Sequence, residues 1–325
     1  MLEFSLDDPT VLQRVADSIS QVCQEANLEC SASGLSLSGM DAGHISLAKL
    51  ILKSDFFRSY RCDRSCTLGI HFTTLHKVLK CADRDEQVTF LHQEGSDELT
   101  MKKKKVEEDL NPGSYTLKLI CLESERLDIN SSEDGAKIVV SASQFQKIVK
   151  DLSIFGEDMV LECPYKANKK ERYLRISSKG DIGSGEQILR DTSFSSAVDV
   201  KKDPNFAEDA DDDKAAAING TADENPKKKR AKSEQNVNGH ALSFSGTAIT
   251  YGENFSKLDQ KCSDGQGVRL TFATQYLNTF CKAAALGDKL TINLAKNNPI
   301  EMEFAINDFG KLSFYLAPRY TDDAL

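Results

Sequence analysis

Two stretches of this chain carry one pattern. SQFQKIVKDLSIFGEDMVLEC, Ser143 to Cys163, aligns without a gap with TQYLNTFCKAAALGDKLTINL, Thr274 to Leu294. Only Gln144/Gln275 and Gly156/Gly287 are identical, yet apolar, polar and turn residues keep their order throughout. TTLHKVLKCADRDEQVTF, Thr73 to Phe90, repeats the pattern with one residue missing before its strand. TVLQRVADSISQVCQ, Thr10 to Gln24, repeats its helical part. A sequence that writes one helix-turn-strand unit four times is confined to pseudo-symmetric folds in which each unit supplies an equivalent surface.

Within the four copies, Leu12, Leu75, Phe145 and Tyr276 align, followed one turn later by Val15, Val78, Ile148 and Phe280, the last displaced by one position. Spacing of three and four residues puts these on one stripe of a helix facing a core. The opposite face carries Arg14, Lys77, Lys80, Lys147, Lys150 and Lys282, against Asp17 and Asp151, while the whole chain has a formal charge of -9. An ordinary solvated helix face explains any one of these lysine pairs. Four copies agreeing in sign within an acidic chain point instead to a shared cationic surface.

Between the helices the period changes to two. LECSASGLSLSGMDAGHISLAKLIL reads as three strands with turns at SASG and MDAGH, and DEQVTFLHQ, AKIVVSA, ERYLRISSK and ALSFSGTAITY continue the alternation. The expected class is α+β, a helix laid on antiparallel strands in each unit.

At 325 residues the chain is long enough for two domains. It has no apolar run near the roughly 20 residues of a membrane helix. The start, MLEFSLDDPT, lacks the basic and apolar regions of a secretory signal, so an intracellular protein is expected. The nine cysteines are scattered, several inside apolar patterns as in LKCAD and LICLE, and read as reduced thiols. Cys62 and Cys66 have no second pair at ligand spacing, so no zinc site is expected.

MDAGHISL (Met40 to Leu47), SYRCDR (Ser59 to Arg64), LHKVLKCA (Leu75 to Ala82), FQKIVKDLSIFGE (Phe145 to Glu157) and FYLAPR (Phe314 to Arg319) together resemble proliferating cell nuclear antigen, the eukaryotic DNA sliding clamp. The resemblance runs from Met1 to about Asp191 and resumes from about Val268 to Arg319. It implies the DNA-clamp fold: clamp domain 1 at 1–117, an inter-domain connector at 118–135 and clamp domain 2 at 136–325, each domain holding two of the repeated units. It also implies a ring homotrimer around double-stranded DNA, with Arg14, Lys77, Lys80, Lys147, Lys150 and Lys282 on its inner wall, holding phosphates without reading bases. Such a clamp is no enzyme and needs no catalytic residue, metal or cofactor. It acts in the nucleus as a polymerase processivity factor. DNA polymerase delta, the clamp loader, ligase and flap nuclease would dock through short peptide motifs. The implied pocket consists of Met40, His44, Ile45, Leu47, Leu127, Ile129, Pro299, Tyr315, Ala317 and Pro318, an apolar hollow suited to an aromatic-bearing short helix. Plain core packing is the alternative for Leu127 and Ile129, and a backbone-bonded turn imidazole for His44.

The chain departs from the family pattern in several places. Asn130 stands in the connector where the family usually has proline. MKKKK, Met101 to Lys105, replaces a mostly apolar strand end and reads as a solvated edge or loop. YKANKKERY is longer than the pattern, leaving Lys166, with Lys169 and Lys170, as candidates for the lysine that the family modifies. An insertion spans about 197–240. From Asp199 to His240 only Val200, Phe206, Ile218 and Val237 are aliphatic or phenylalanine, four of 42 residues, so a disordered loop is expected. Within it, Pro226, Lys227, Lys228, Lys229 and Arg230 spell a compact basic nuclear import signal, unless they merely counter the acidic run Ala207 to Asp213.

Three other readings compete. A subunit of the heterotrimeric checkpoint clamp would share the fold, although MDAGHISL and YLAPR favour the homotrimeric clamp. A metal-dependent nuclease or polymerase needs clustered carboxylates on a structured cleft, whereas the densest acidic run, DADDD, falls in the insertion. An acidic histone-binding scaffold would use that run and not the ring.

Overall fold

Each repeated segment folds as a helix. They are α1 (Thr10–Ser20), α2 (Phe72–Leu79), α3 (Ala142–Leu152) and α4 (Thr274–Phe280), the last continued by a 3-10 helix at Cys281–Leu286. The computed structural model describes residues 1–105, 113–123, 135–166, 168–193, 246–252, 267–296 and 298–319. The insertion and its basic motif, Asn130, Leu127 and Ile129 lie outside these. Among the described residues no helix is long and apolar enough to cross a membrane.

The strands are β1 (Leu2–Leu6), β2 (Glu25–Ser31), β3 (Gly34–Met40), β4 (Ser46–Lys53), β5 (Ser59–Cys62), β6 (Cys66–His71), β7 (Glu86–His92), β8 (Glu98–Lys105) and β9 (Gly113–Lys118) in the first half. In the second half they are β10 (Ala136–Ser141), β11 (Asp158–Cys163), β12 (Tyr173–Gly180), β13 (Gly183–Arg190), β14 (Ala248–Tyr251), β15 (Val268–Ala273), β16 (Lys289–Leu294), β17 (Ile300–Ile306) and β18 (Gly310–Leu316). They form three antiparallel sheets in the orders β5-β1-β7-β8-β9, β14-β10-β16-β17-β18-β4-β3-β2-β6 and β13-β12-β11-β15.

These orders contain the duplication. Sheet order β5-β1-β7-β8-β9 in the first half matches β14-β10-β16-β17-β18 in the second, and β4-β3-β2-β6 matches β13-β12-β11-β15. The halves join where β18 pairs with β4, from Gly310↔Leu52 to Leu316↔Ser46. One nine-stranded sheet therefore crosses the whole described chain. Alternate residues of its strands, such as Leu50, Leu52, Phe304, Phe314 and Ile292, point to the helices and are at most 2% exposed.

Helical burial follows the expected stripe with two shifts. Leu12, Val15, Leu75, Phe145, Ile148 and Phe280 are buried, whereas Val78 and Tyr276 are only partly buried and their neighbours Leu79 and Leu277 take the core positions. Phe280 aligns without a gap with Val149 and Leu79, and all three are 0% exposed, so its apparent displacement from Ile148 disappears in the structure.

The reading of Met101 to Lys105 as an edge or loop is corrected. The segment is the C-terminal part of β8, which pairs with β7 on one side and with β9 on the other as far as Lys103. Met101 points into the core at 0% exposure, and Lys103 Nζ reaches the Glu86 carboxylate at 2.9 Å with both side chains mostly buried. Hydrogen bonding from Asp83 and Lys103 holds the Glu86 carboxyl below the usual range. Alternation satisfies the strand while the other lysines extend to water.

One of the two identities between the copies has a steric cause. A Cβ on Gly156 would lie 2.5 Å from the Lys179 carbonyl oxygen, and one on Gly287 would lie 2.6 Å from that of Ala305. Each glycine leads into a strand, β11 or β16, and the obstructing carbonyl belongs to that strand's hairpin partner, β12 or β17. Nothing in the structure explains the identity of Gln144 and Gln275, both exposed. Gly156→Ala and Gly287→Ala are each expected to cost about 1–3 kcal/mol of stability through overpacking against rigid backbone. Gln144→Ala should stay within about 0.5 kcal/mol. Urea unfolding of the three variants checks the difference.

Candidate nucleic-acid interface and docking pocket

The helices lie side by side in the order α2, α1, the Cys281–Leu286 segment with α4, then α3. Polar side chains link each neighbouring pair. Gln13 Nε2 donates to the carbonyl oxygens of Leu79 (2.9 Å) and Ala82 (3.0 Å), at the end of α2. Gln146 Nε2 donates to the Cys281 carbonyl at 2.8 Å, at the end of α4. Gln13 and Gln146 each follow the aligned anchors Leu12 and Phe145, so the two halves repeat a side-chain bond as well as a fold. It closes carbonyls that a helix end leaves unpaired. Sequence reading missed it, although the shared glutamine after each anchor was visible.

All six candidate DNA-binding residues, Arg14, Lys77, Lys80, Lys147, Lys150 and Lys282, are exposed on this layer. Two of them also form the seam between the halves: Arg14 Nη1 donates to the Ala285 carbonyl at 2.7 Å, and Lys282 Nζ to Gln21 Oε1 at 2.7 Å. The side chains of Lys77, Lys80, Lys147 and Lys150 have no such partner among the described residues. Of the two carboxylates on these helices, Asp151 is exposed beside Lys150, and Asp17 stands 3.6 Å from His76 Nε2, whose Nδ1 is 3.1 Å from the Gln13 carbonyl. The layer is thus a fixed row of helices with cations along its solvent face.

Of the candidate pocket residues, Leu127 and Ile129 lie outside the described residues, and three others share the other face of the nine-stranded sheet. Met40, Leu47 and Tyr315 stand in one cross-strand row over β3, β4 and β18, which continues through Glu301 on β17 to Asn293 on β16. Leu47 and Tyr315 are buried at 2% and 8%, while Ile45 is 45% exposed. His44 and Ala317 are exposed, and Met40, Pro299 and Pro318 are half-buried. The Ala317 N–H donates to the Ile45 carbonyl at 3.0 Å, which fixes the chain after β18 against the turn before β4.

That turn is built by Asp41. Its Oδ1 accepts from the N–H groups of Ile45 (2.9 Å) and Ser46 (2.6 Å), and its Oδ2 accepts from Gly43 (3.3 Å) and from the Tyr276 hydroxyl (3.2 Å). Burial alone would raise the Asp41 carboxyl, but the Ser46 and Ile45 hydrogen bonds outweigh it and hold it below the usual range. The charge that organises the turn is therefore present at neutral pH. His44 adopts φ 53°, the left-handed region, which presents its side chain to solvent at the turn tip.

Glu301 was not anticipated. It is a carboxylate only 7% exposed, accepting from the Tyr315 hydroxyl at 2.7 Å and from Asn293 Nδ2 at 2.7 Å. Burial, then the adjacent carboxylate, pushes the Tyr315 phenol up, so it remains a donor. The aromatic wall of the hollow is pinned from behind by this network. An adjoining cavity of about 610 Å³ is lined by Met40 and His44 together with Glu25, Lys49, Leu122 and Glu123.

Comparison with known families gives two matches. The model described as the N-terminal domain of proliferating cell nuclear antigen matches residues 1–127. The model of the C-terminal domain of the same family matches residues 128–205 and 245–319. The stretch left unmatched between the last two segments falls within or beside the insertion expected at about 197–240. Both domain models in order, on a fold that repeats its own topology and carries a cationic helix layer, lead to one conclusion: the chain belongs to the proliferating cell nuclear antigen family of DNA sliding clamps.

Proposed function

We propose that the protein works as a homotrimeric ring around duplex DNA, a processivity factor for DNA polymerase delta and a platform for ligase, flap nuclease and the clamp loader. The observation that carries this reading is the row of four helices bearing six exposed basic side chains on an otherwise acidic chain. Lysines meeting phosphates through a diffuse field hold a duplex without fixing its register, so a ring can slide. Family members of this kind are non-enzymatic scaffolds, and the same is proposed here.

The duplicated topology supports the ring. Strands β18 and β4, which pair at the junction of the halves, are the topological equivalents of β9 and β13. Among the described residues, β9 pairs only with β8, and β13 only with β12. Ile182 and Ile188 at β13 are exposed at 74% and 37%. Open edges of this length invite pairing with another chain. Antiparallel pairing of β9 in one copy with β13 in the next would repeat between chains the junction already made within one. The division into domains 1–117 and 136–325 with a connector at 118–135 is part of this proposal.

Retention on closed circular DNA, with loss from linear DNA, after treatment with a clamp loader is the decisive test. The particle should have three times the 35.9 kDa chain mass. A monomer, or a complex that forms only with other chains as in a checkpoint clamp, would overturn the homotrimer. Reversing Lys77, Lys80 and Lys150 together to Glu should impair loading and leave the trimer intact. Normal loading would count against the inner-wall assignment.

The pocket row is proposed to receive an apolar peptide with an aromatic residue, against Met40, Ile45, Leu47 and Tyr315, with His44, Leu127, Ile129, Pro299, Ala317 and Pro318 around it. Ile45→Ala is expected to weaken such a peptide about tenfold, on the order of 1.4 kcal/mol. The trimer and DNA retention should not change. Calorimetric titration with an aromatic-bearing peptide reads this, and an unchanged Kd refutes the assignment. Residues 226–230 are proposed to direct nuclear import, and Lys166 to be the modified lysine. Deleting residues 226–232 should leave a tagged chain in the cytoplasm, and mass mapping after DNA damage should find the modification at Lys166.

A further inference from the structure

The spacing of Cys62 and Cys66 shows a pair of thiols; the fold adds a third. Cys30 on β2 stands directly opposite Cys66 on β6 in the antiparallel ladder. Directly opposed residues of such a ladder have Cα atoms about 4.5–5.5 Å apart, inside the roughly 4.4–6.8 Å window of a disulfide. The Cys30 thiol donates to the Leu28 carbonyl at 3.8 Å, and Cys62 and Cys66 both lie within its electrostatic reach. Cys30 is 1% exposed, whereas Cys62 and Cys66 are half-buried at the margin of the core. All three are free thiols. Among the described residues no group of three or more His, Cys, Asp or Glu side chains is arranged to hold a metal ion. Thiol chemistry is what remains for this cluster.

We propose that Cys30 and Cys66 form a reversible cross-strand disulfide when the protein meets a hydroperoxide. Cys66, the more accessible of the two, is the point of entry. Its sulfur attacks the terminal peroxide oxygen and breaks the O–O bond, giving Cys66 sulfenic acid and, from hydrogen peroxide, water. The Cys30 sulfur then attacks the Cys66 sulfur, the S–O bond breaks, and the hydroxyl leaves as a second water with the Cys30 proton. Two thiols and one peroxide become one disulfide and two waters, and a dithiol reductant reverses the change. Burial pushes the Cys30 thiol well above its ordinary value, which makes it a weak nucleophile in bulk terms. Its fixed place opposite Cys66 in the ladder supplies the proximity that compensates. The product would tie β6, the last strand of the nine-stranded sheet, to β2.

The test uses the full chain, reduced and then treated with hydrogen peroxide under native conditions. The sample is quenched, unfolded and alkylated, and its peptides are mapped by mass. A Cys30–Cys66 linked peptide, lighter by two hydrogens than its reduced parts, is expected, with loss of alkylation at both sites and recovery after dithiothreitol. Cys66→Ser should restore alkylation of Cys30. The proposal is overturned if Cys30 stays fully alkylated after peroxide, if Cys66 links to Cys62 instead, or if only exposed Cys81 and Cys121 are oxidised.

Discussion

The antiparallel pairing of β4 with β18 is the contact on which the rest of the molecule depends. It brings together strands from opposite ends of the chain and merges two half-sheets into one. Because side chains alternate across a strand, that single sheet sorts residues into two populations. Leucines and phenylalanines of one set receive the helices, and the other set builds the row from Met40 to Asn293. A slip of one residue at the junction would exchange the sets, burying the row from Met40 to Asn293 and exposing the core. Helix layer and pocket are thus opposite faces of one register.

The repeated units were legible in the sequence because their signals are local. Apolar spacing of three and four marked α1 to α4, alternation marked most strands, and the turns at Ala32 and Asp41 follow the glycine and aspartate pattern. What joins distant segments was not legible. Neither the β4–β18 junction nor the facing of Cys30 and Cys66 leaves a mark within a short window. Glu301 shows the same limit, since a glutamate in an alternating strand reads as solvent-facing until Tyr315 and Asn293 are seen to close over it. The lysine run of β8 misled for a physical reason: composition suggested solvent, whereas Met101 and the Lys103–Glu86 pair hold the strand in the sheet.

For the site, the resemblance named the residues and the structure supplied their relations. Met40, Leu47 and Tyr315 share a row because three strands place them there, and Ile45 is positioned by a turn whose hydrogen bonds converge on Asp41. The six basic residues are less uniform than the sequence suggested, since Arg14 and Lys282 bond across the seam while the lysines of α2 and α3 reach into solvent.

That difference has a mechanical consequence. At the middle of the helix row the positive charge is anchored to backbone and neighbouring amide, whereas at its two ends the ammonium groups swivel on long aliphatic stems. A polyanion passing over such a surface meets a stationary field flanked by compliant ones. The compliant groups can follow each phosphate for a short distance and then release it, while the stationary ones keep the average pull constant. Under the proposed encirclement, grip and friction would fall to different residues, so one could change without the other.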